Sequence, residues 1–160
     1  MTKGGLSLSY RLNGPIHCLR IPAPLPPEFV DGLWEHTCFE VFVAVAGKTA
    51  YREFNFAPSG EWASYAFREY REREEFNLTD VAPHISVHYF DDRLELDAVL
   101  APALLTSTAP DEVLQLGLSA VIETADGNRS YWALAHPAAQ PDFHNRATMH
   151  LTLATDNTKL

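Results

Sequence analysis

The chain has 160 residues, 46% of them hydrophobic and 21% charged, with a net charge of −9 at pH 7. That length predicts one domain that buries its core without staples, and that composition excludes a disordered chain. The acid excess, with no Lys/Arg cluster, excludes a phosphate backbone or an anionic bilayer as partner, so no nucleic acid and no membrane is expected.

The opening stretch, MTKGGLSLSYRLNGP, has no apolar segment of the secretory kind. No run approaches the roughly 20 apolar residues of a bilayer span, so a cytoplasmic location is expected. Cys18 and Cys38 are too few for a disulfide framework or a cysteine zinc site, and both read as buried thiols in apolar strand patterns.

Leu6 to Tyr10 alternates cleanly and predicts a first strand, closed by Asn13-Gly14-Pro15. Ile16 to Ile21 predicts a second. Pro22 to Pro27 cannot be helix and reads as an extended crossing. Thr37 to Val45 is apolar on both faces, as a central strand requires. Tyr51 to Phe56 and Trp62 to Phe67 follow at hairpin distance.

The mixed charges of Arg71 to Glu75 predict a solvated hairpin tip or a short exposed helix. Ile85 to Phe90 and Arg93 to Leu100 form the next hairpin, pairing Val87 with Leu96 and His88 with Glu95. A loop follows, with one helical turn expected at Ala103 to Thr106. Val113 to Glu123 and Arg129 to His136 pair around Asp126-Gly127, which sets Val121 opposite Trp132 and Ser119 opposite Leu134. Thr148 to Leu153 is the last strand. About nine short strands and no long amphipathic helix predict an all-β sandwich. One domain over residues 1–155 and a frayed tail at 156–160 are expected.

The densest stretch is Leu33 to Tyr70. An even-length loop at Gly47-Lys48 puts Glu40 opposite Asn55 and Phe42 opposite Glu53. A turn centred on Pro58 and Ser59 puts Asn55 opposite Trp62 and Glu53 opposite Ser64. On that register one face is core, with Phe39, Val41, Phe54, Tyr65 and Phe67. The other carries Glu40, Phe42, Tyr51, Glu53, Asn55, Trp62 and Ser64. It reads either as the wet side of a sheet or as the floor of a site for a polar, ring-shaped ligand. A three-residue loop at Pro58 instead turns Trp62 to the core.

No nucleophile elbow is present, and neither cysteine sits in a protease pattern. Glu40 and Glu53, on adjacent strands of one face, are the available acid–base pair. His136 and His144, with Asp142 between them, are a possible metal set without a standard spacing, so no metal is assigned. Trp34 and Trp132 offer flat surfaces for a stacked ring. Haem needs axial ligands, for which Met149 with His136 or His88 is the available pattern.

Leu33-Trp-Glu-His-Thr-Cys-Phe-Glu40, Glu53-Phe-Asn-Phe-Ala-Pro-Ser-Gly-Glu-Trp62 and Tyr131-Trp-Ala-Leu-Ala-His-Pro137 with Pro141-Asp-Phe-His144 together resemble the DOMON-like domains. The nearest subgroup is the stand-alone bacterial one named for genes neighbouring MurB. The resemblance spans about Leu33 to Leu153. It implies an immunoglobulin-like antiparallel β-sandwich of about nine to eleven strands, related to family-nine carbohydrate-binding modules and to haem-binding cytochrome domains. It implies a small-molecule partner, saccharide-like, with no cofactor, or non-covalent haem as the alternative. An enzyme using Glu40 and Glu53 is a further alternative, and a face for a partner chain another; oligomeric state is left open. The residues expected at the ligand are Trp34, Glu35, His36, Glu40, Glu53, Asn55, Trp62, Trp132, His136, Asp142 and His144.

Overall fold

The computed structural model of the chain describes residues 5–75, 81–105 and 112–154. The expected tail at 156–160 and the end of the helical turn at Thr106 lie outside them. Ten strands are described: β1 (Leu6–Asn13), β2 (Cys38–Val45), β3 (Tyr51–Phe56), β4 (Trp62–Glu69), β5 (Glu72–Arg73), β6 (His84–Tyr89), β7 (Arg93–Leu100), β8 (Val113–Glu123), β9 (Arg129–Ala133) and β10 (Leu151–Ala154). They form an immunoglobulin-like antiparallel sandwich of two sheets. The smaller has the order β1-β7-β6, and the larger runs β10-β8-β2-β3-β4-β5. β9 shares the outer edge of β8 with β10, each taking one half of that long strand. No helix among the described residues is long and apolar enough to cross a membrane.

Alternation along the strands builds the core between the sheets. Phe39, Val41 and Val43 of β2, with Phe54 and Phe56 of β3, face Leu94, Leu96 and Leu100 of β7. β2 lies between β3 and β8 and every one of its residues is buried, which accounts for its lack of a polar face. The far side of the larger sheet is covered too. There Phe42, Tyr51, Tyr65 and Phe67 pack with Leu33 and Met149, which come from the long segments before β2 and after β9. Gly117 of β8 lies close beneath this second layer, where a Cβ would stand 3.3 Å from Met149 Cγ.

Several expected pairings are present. Glu40 faces Asn55 and Phe42 faces Glu53; Val87 faces Leu96 and His88 faces Glu95. Two others are shifted by one residue, for one physical reason. In the β3–β4 hairpin Ala57 N–H donates to Glu61 O, and Gly60 sits at φ 96°. In the β8–β9 hairpin Thr124 N–H donates to Asn128 O, and Gly127 sits at φ 86°. Both are three-residue loops whose last residue is left-handed, the conformation that glycine alone adopts freely. The expected turns were even. An odd loop moves the partner strand by one and turns every side chain over.

The consequences are specific. Trp62 pairs with Phe56 and Ser64 with Phe54, on the inner side. Tyr65 and Phe67, expected in the core, stand on the outer face beside Glu53 and Tyr51. Val121 faces Tyr131, and Trp132 faces Ala120.

Four local expectations are also corrected. Ile16–Cys18 is a single 3-10 turn rather than a strand, closed by Cys18 N–H donating to Pro15 O. That turn leaves Cys18 exposed while Cys38 is buried. Finally, Arg129 to His136 is strand only as far as Ala133, and the last strand begins at Leu151 instead of Thr148.

Candidate functional site

The outer face of the larger sheet carries a cleft of about 580 Å³. Its floor is Glu40 and Phe42 of β2, Glu53 of β3, Tyr65 and Phe67 of β4, and Val121 of β8. Trp34, Arg129 and Tyr131 form one wall; Arg71 and Arg73 of the β4–β5 hairpin form the other. The segment from Gln140 to His144 supplies the rest of the lining.

The floor is chemically unusual. Glu40 is 3% exposed and Glu53 is 5% exposed, and they are diagonal neighbours across the β2–β3 ladder. Ser119 Oγ donates to Glu40 Oε2 at 2.8 Å, and Asn55 Nδ2 donates to Glu53 Oε1 at 2.9 Å. Burial, then the charge on Glu53, pushes the Glu40 carboxyl up to about 8, against the pull of the Ser119 hydrogen bond. Burial also pushes Glu53 up to about 7, opposed by Asn55 and by the Arg73 and Arg71 guanidiniums. At neutral pH the pair therefore offers a carboxyl that can donate and a carboxylate that can accept. The buried Asn55 Oδ1 has no hydrogen-bond partner among the described residues, and it lies across the ladder from Glu40.

His144 completes the floor. Tyr51 O–H accepts from Arg71 N–H at 3.0 Å and shares a hydrogen bond with His144 Nδ1 at 2.8 Å. The other ring nitrogen, Nε2, lies 3.7 Å from Glu53 Oε2. Burial, helped by Arg71 and opposed by Asp142, holds the imidazole down at about 4. The ring is wedged edge-on between Phe42 and Phe67, at 5.2 and 5.0 Å.

Asp142 acts on the segment instead of the cleft. Its carboxylate accepts from Tyr70 O–H at 2.8 Å and from Arg71 Nη2 at 2.9 Å. Although burial pushes the other way, these contacts hold its carboxyl below the ordinary range. Arg71 is the one non-glycine residue at positive φ among those described, at 56°. Its side chain pins the segment from Gln140 to His144 to the β4–β5 hairpin through Asp142.

The remaining expected residues are dispersed. Trp34 stands at the cleft, edge-on to Tyr65 at 5.5 Å. Glu35 and His36 border a shallower neighbouring depression, where His36 Nδ1 meets Glu123 Oε2 at 2.7 Å. Asn55, beside Glu53 on the same face of β3, supports it by that hydrogen bond. Trp62 is buried and turned away from the cleft by the odd loop before it. Trp132 is exposed, but it lines a different groove with Tyr10 and Leu134. His136 is exposed, its ring 6.2 Å from Phe143.

Among the described residues no three His, Cys, Asp or Glu side chains converge to hold a metal ion. His144 is tied to Tyr51 and Asp142 to Tyr70 and Arg71, so the set with His136 does not assemble. Of the Met–His pattern, Met149 is buried in a cluster with Phe42 and Tyr51, His136 is exposed, and His88 belongs to β6 of the other sheet.

No protein-family model matches the chain, and no curated protein matches it. A solved structure does. It is a candidate carbohydrate-binding protein from Bacteroides uniformis ATCC 8492, with a TM-score of 0.67 over 92% of this chain and 72% of that one, at 17% sequence identity. At that identity the likeness establishes the fold alone.

Residues that the sequence reading did not place at a ligand supply much of the cleft: Tyr65, Phe67, Arg71, Arg73, Arg129, Tyr131 and Phe143. Glycine as the third residue of Pro58-Ser59-Gly60 and of Ala125-Asp126-Gly127 is the signal that finds Tyr65, Phe67 and Tyr131, because it marks a three-residue hairpin loop.

Proposed function

We propose that the cleft binds a small polar ring, saccharide-like, and that the chain is a binding module of the DOMON-like kind. One observation carries the reading: aromatic side chains surround a cleft whose floor is a pair of buried carboxyls. Burying two carboxyls side by side costs stability, and apolar residues of similar volume would serve packing better. Their return is recognition, because a ring on an aromatic face presents hydroxyls that both donate and accept. The volume falls within the roughly 300–1,000 Å³ of ordinary small-molecule sites. The shared fold with a candidate carbohydrate-binding protein and the three sequence motifs support it.

The test is a thermal-shift panel of mono- and disaccharides, including amino sugars and muramic-acid derivatives. A ligand at a hundred times its Kd stabilises the native state by roughly 2.7 kcal/mol, a readily measured rise in Tm. At least one sugar is expected to raise Tm, and Glu53→Ala to abolish the rise. A panel without any shift contradicts the reading.

The differing environments of Glu40 and Glu53 favour one second reading, acid–base chemistry on the bound ring. Interconversion of a bound sugar that Glu53→Gln abolishes, with binding retained, would identify it.

A further inference from the structure

Three of the chain's 12 basic residues line this one cleft, although acidic residues number 21 overall. They come from opposite edges of the larger sheet, Arg71 and Arg73 beside β5 and Arg129 at the start of β9. Arg71 is committed to Asp142 at 2.9 Å. Arg73 lies over the Tyr65 ring at 4.0 Å and faces Asp31 at 3.7 Å.

Arg129 differs. Its Nη1 donates to the backbone carbonyl of Glu35 at 3.2 Å, and no carboxylate among the described residues pairs with it. Elsewhere Arg11, Arg20, Arg68 and Arg93 each have an acidic partner, so acids are not scarce. One main-chain hydrogen bond orients the guanidinium beside Trp34 and leaves the other donors of its planar fork for a ligand.

We propose that the ligand is an anionic saccharide: its ring lies against Trp34 and the aromatic floor, and its carboxylate or phosphate pairs with Arg129. This rests on the saccharide reading of the cleft and names the class of ligand within it. The geometry also sets the orientation. The carboxylate of the floor pair repels an anion there, so the hydroxyl-bearing side faces the floor and the charged substituent points to the mouth. A guanidinium fork matches a carboxylate or phosphate in two parallel hydrogen bonds, which a neutral hydroxymethyl group cannot make.

Calorimetric titration of the full chain with glucose, galactose and N-acetylglucosamine, each beside its acid counterpart (glucuronate, galacturonate, N-acetylmuramate), tests it. The phosphate ester of glucose is a further arm that separates phosphate from carboxylate. At least one anionic sugar is expected to bind about tenfold or more tighter than its neutral partner, the gain from one charge-assisted pair, and added salt is expected to erode that gain. Arg129→Gln should remove most of the difference by weakening the anionic sugar far more than the neutral one, with the Tm unchanged, since the side chain is exposed. Arg129→Lys should keep the preference for the anion but weaken it.

Neutral sugars that bind as tightly as every anionic counterpart overturn the proposal and leave the saccharide reading standing. Equal weakening of neutral and anionic sugars by Arg129→Gln also overturns it. Failure of every sugar to bind sinks both readings together.

Discussion

Raising the pH from 6.5 to about 8 is expected to destabilise the folded chain by roughly 2 kcal/mol, and Glu40→Gln is expected to remove most of that loss. Glu40 releases its proton near 4.5 when unfolded and at about 8 when folded. Between those values the folded chain binds the extra proton, so each step up in pH favours unfolding. Glu53 adds to the slope up to about 7. His144 works the other way, because its imidazole protonates near 6.5 unfolded and only at about 4 folded. Across that interval the unfolded chain holds the proton, and rising pH favours the fold. The two effects oppose one another below 6.5, and only the carboxyl effect persists above it. One and a half pH units at about 1.4 kcal/mol per unit gives the stated loss.

Glutamine keeps the acceptor that Ser119 needs and removes the charge, so Glu40→Gln should be the more stable protein at pH 8. Urea unfolding of both proteins at the two pH values measures this. Equal stability at both values in the parent chain would show that the carboxyl pair is not held protonated by burial.

Trp62→Ala is expected to destabilise by about 3–5 kcal/mol, the range for removing a large aromatic from a packed interior. Its side chain is 3% exposed and meets Phe29 edge-on at 5.5 Å. The main chain at Trp62 also holds the strap before β2, donating to Glu28 O at 3.0 Å and accepting from Val30 N–H at 2.9 Å. Such a loss is a large part of the about 5–15 kcal/mol that a domain possesses. Chemical denaturation reads it directly. A variant of near-parent stability that no longer binds sugar would instead place Trp62 at the ligand.

The sandwich was legible because β2 is apolar on both faces while β7 alternates, and two hairpins follow the register their turns dictate. The floor of the cleft was legible in part for the same reason: the even β2–β3 loop fixes Glu40, Phe42 and Glu53 on one side. The aromatic lining was lost to a single-residue shift. Read as two-residue turns, the loops ending in Gly60 and Gly127 exchange Tyr65 for Ser64 and Tyr131 for Trp132.

The arginines were lost differently. Arg71 and Arg73 belong to a run of alternating charges that reads as a solvated tip, and only the fold brings that tip beside Asp142 and Tyr65. Long-range contacts of this kind leave no local pattern. His144 is the converse case: its motif marked it, but its role depends on Tyr51, 93 residues earlier in the chain.

The three tryptophans report on the site separately, since Trp34 stands at the cleft, Trp62 is buried away from it and Trp132 lines another groove. A proton–nitrogen correlation spectrum of the indole groups, recorded while the sugar giving the largest thermal shift is titrated in, tests the central claim most directly. The Trp34 indole signal is expected to move to saturation while those of Trp62 and Trp132 stay in place. Movement of the Trp132 signal with Trp34 fixed, or no movement at all, would contradict the assignment of this cleft as the binding site.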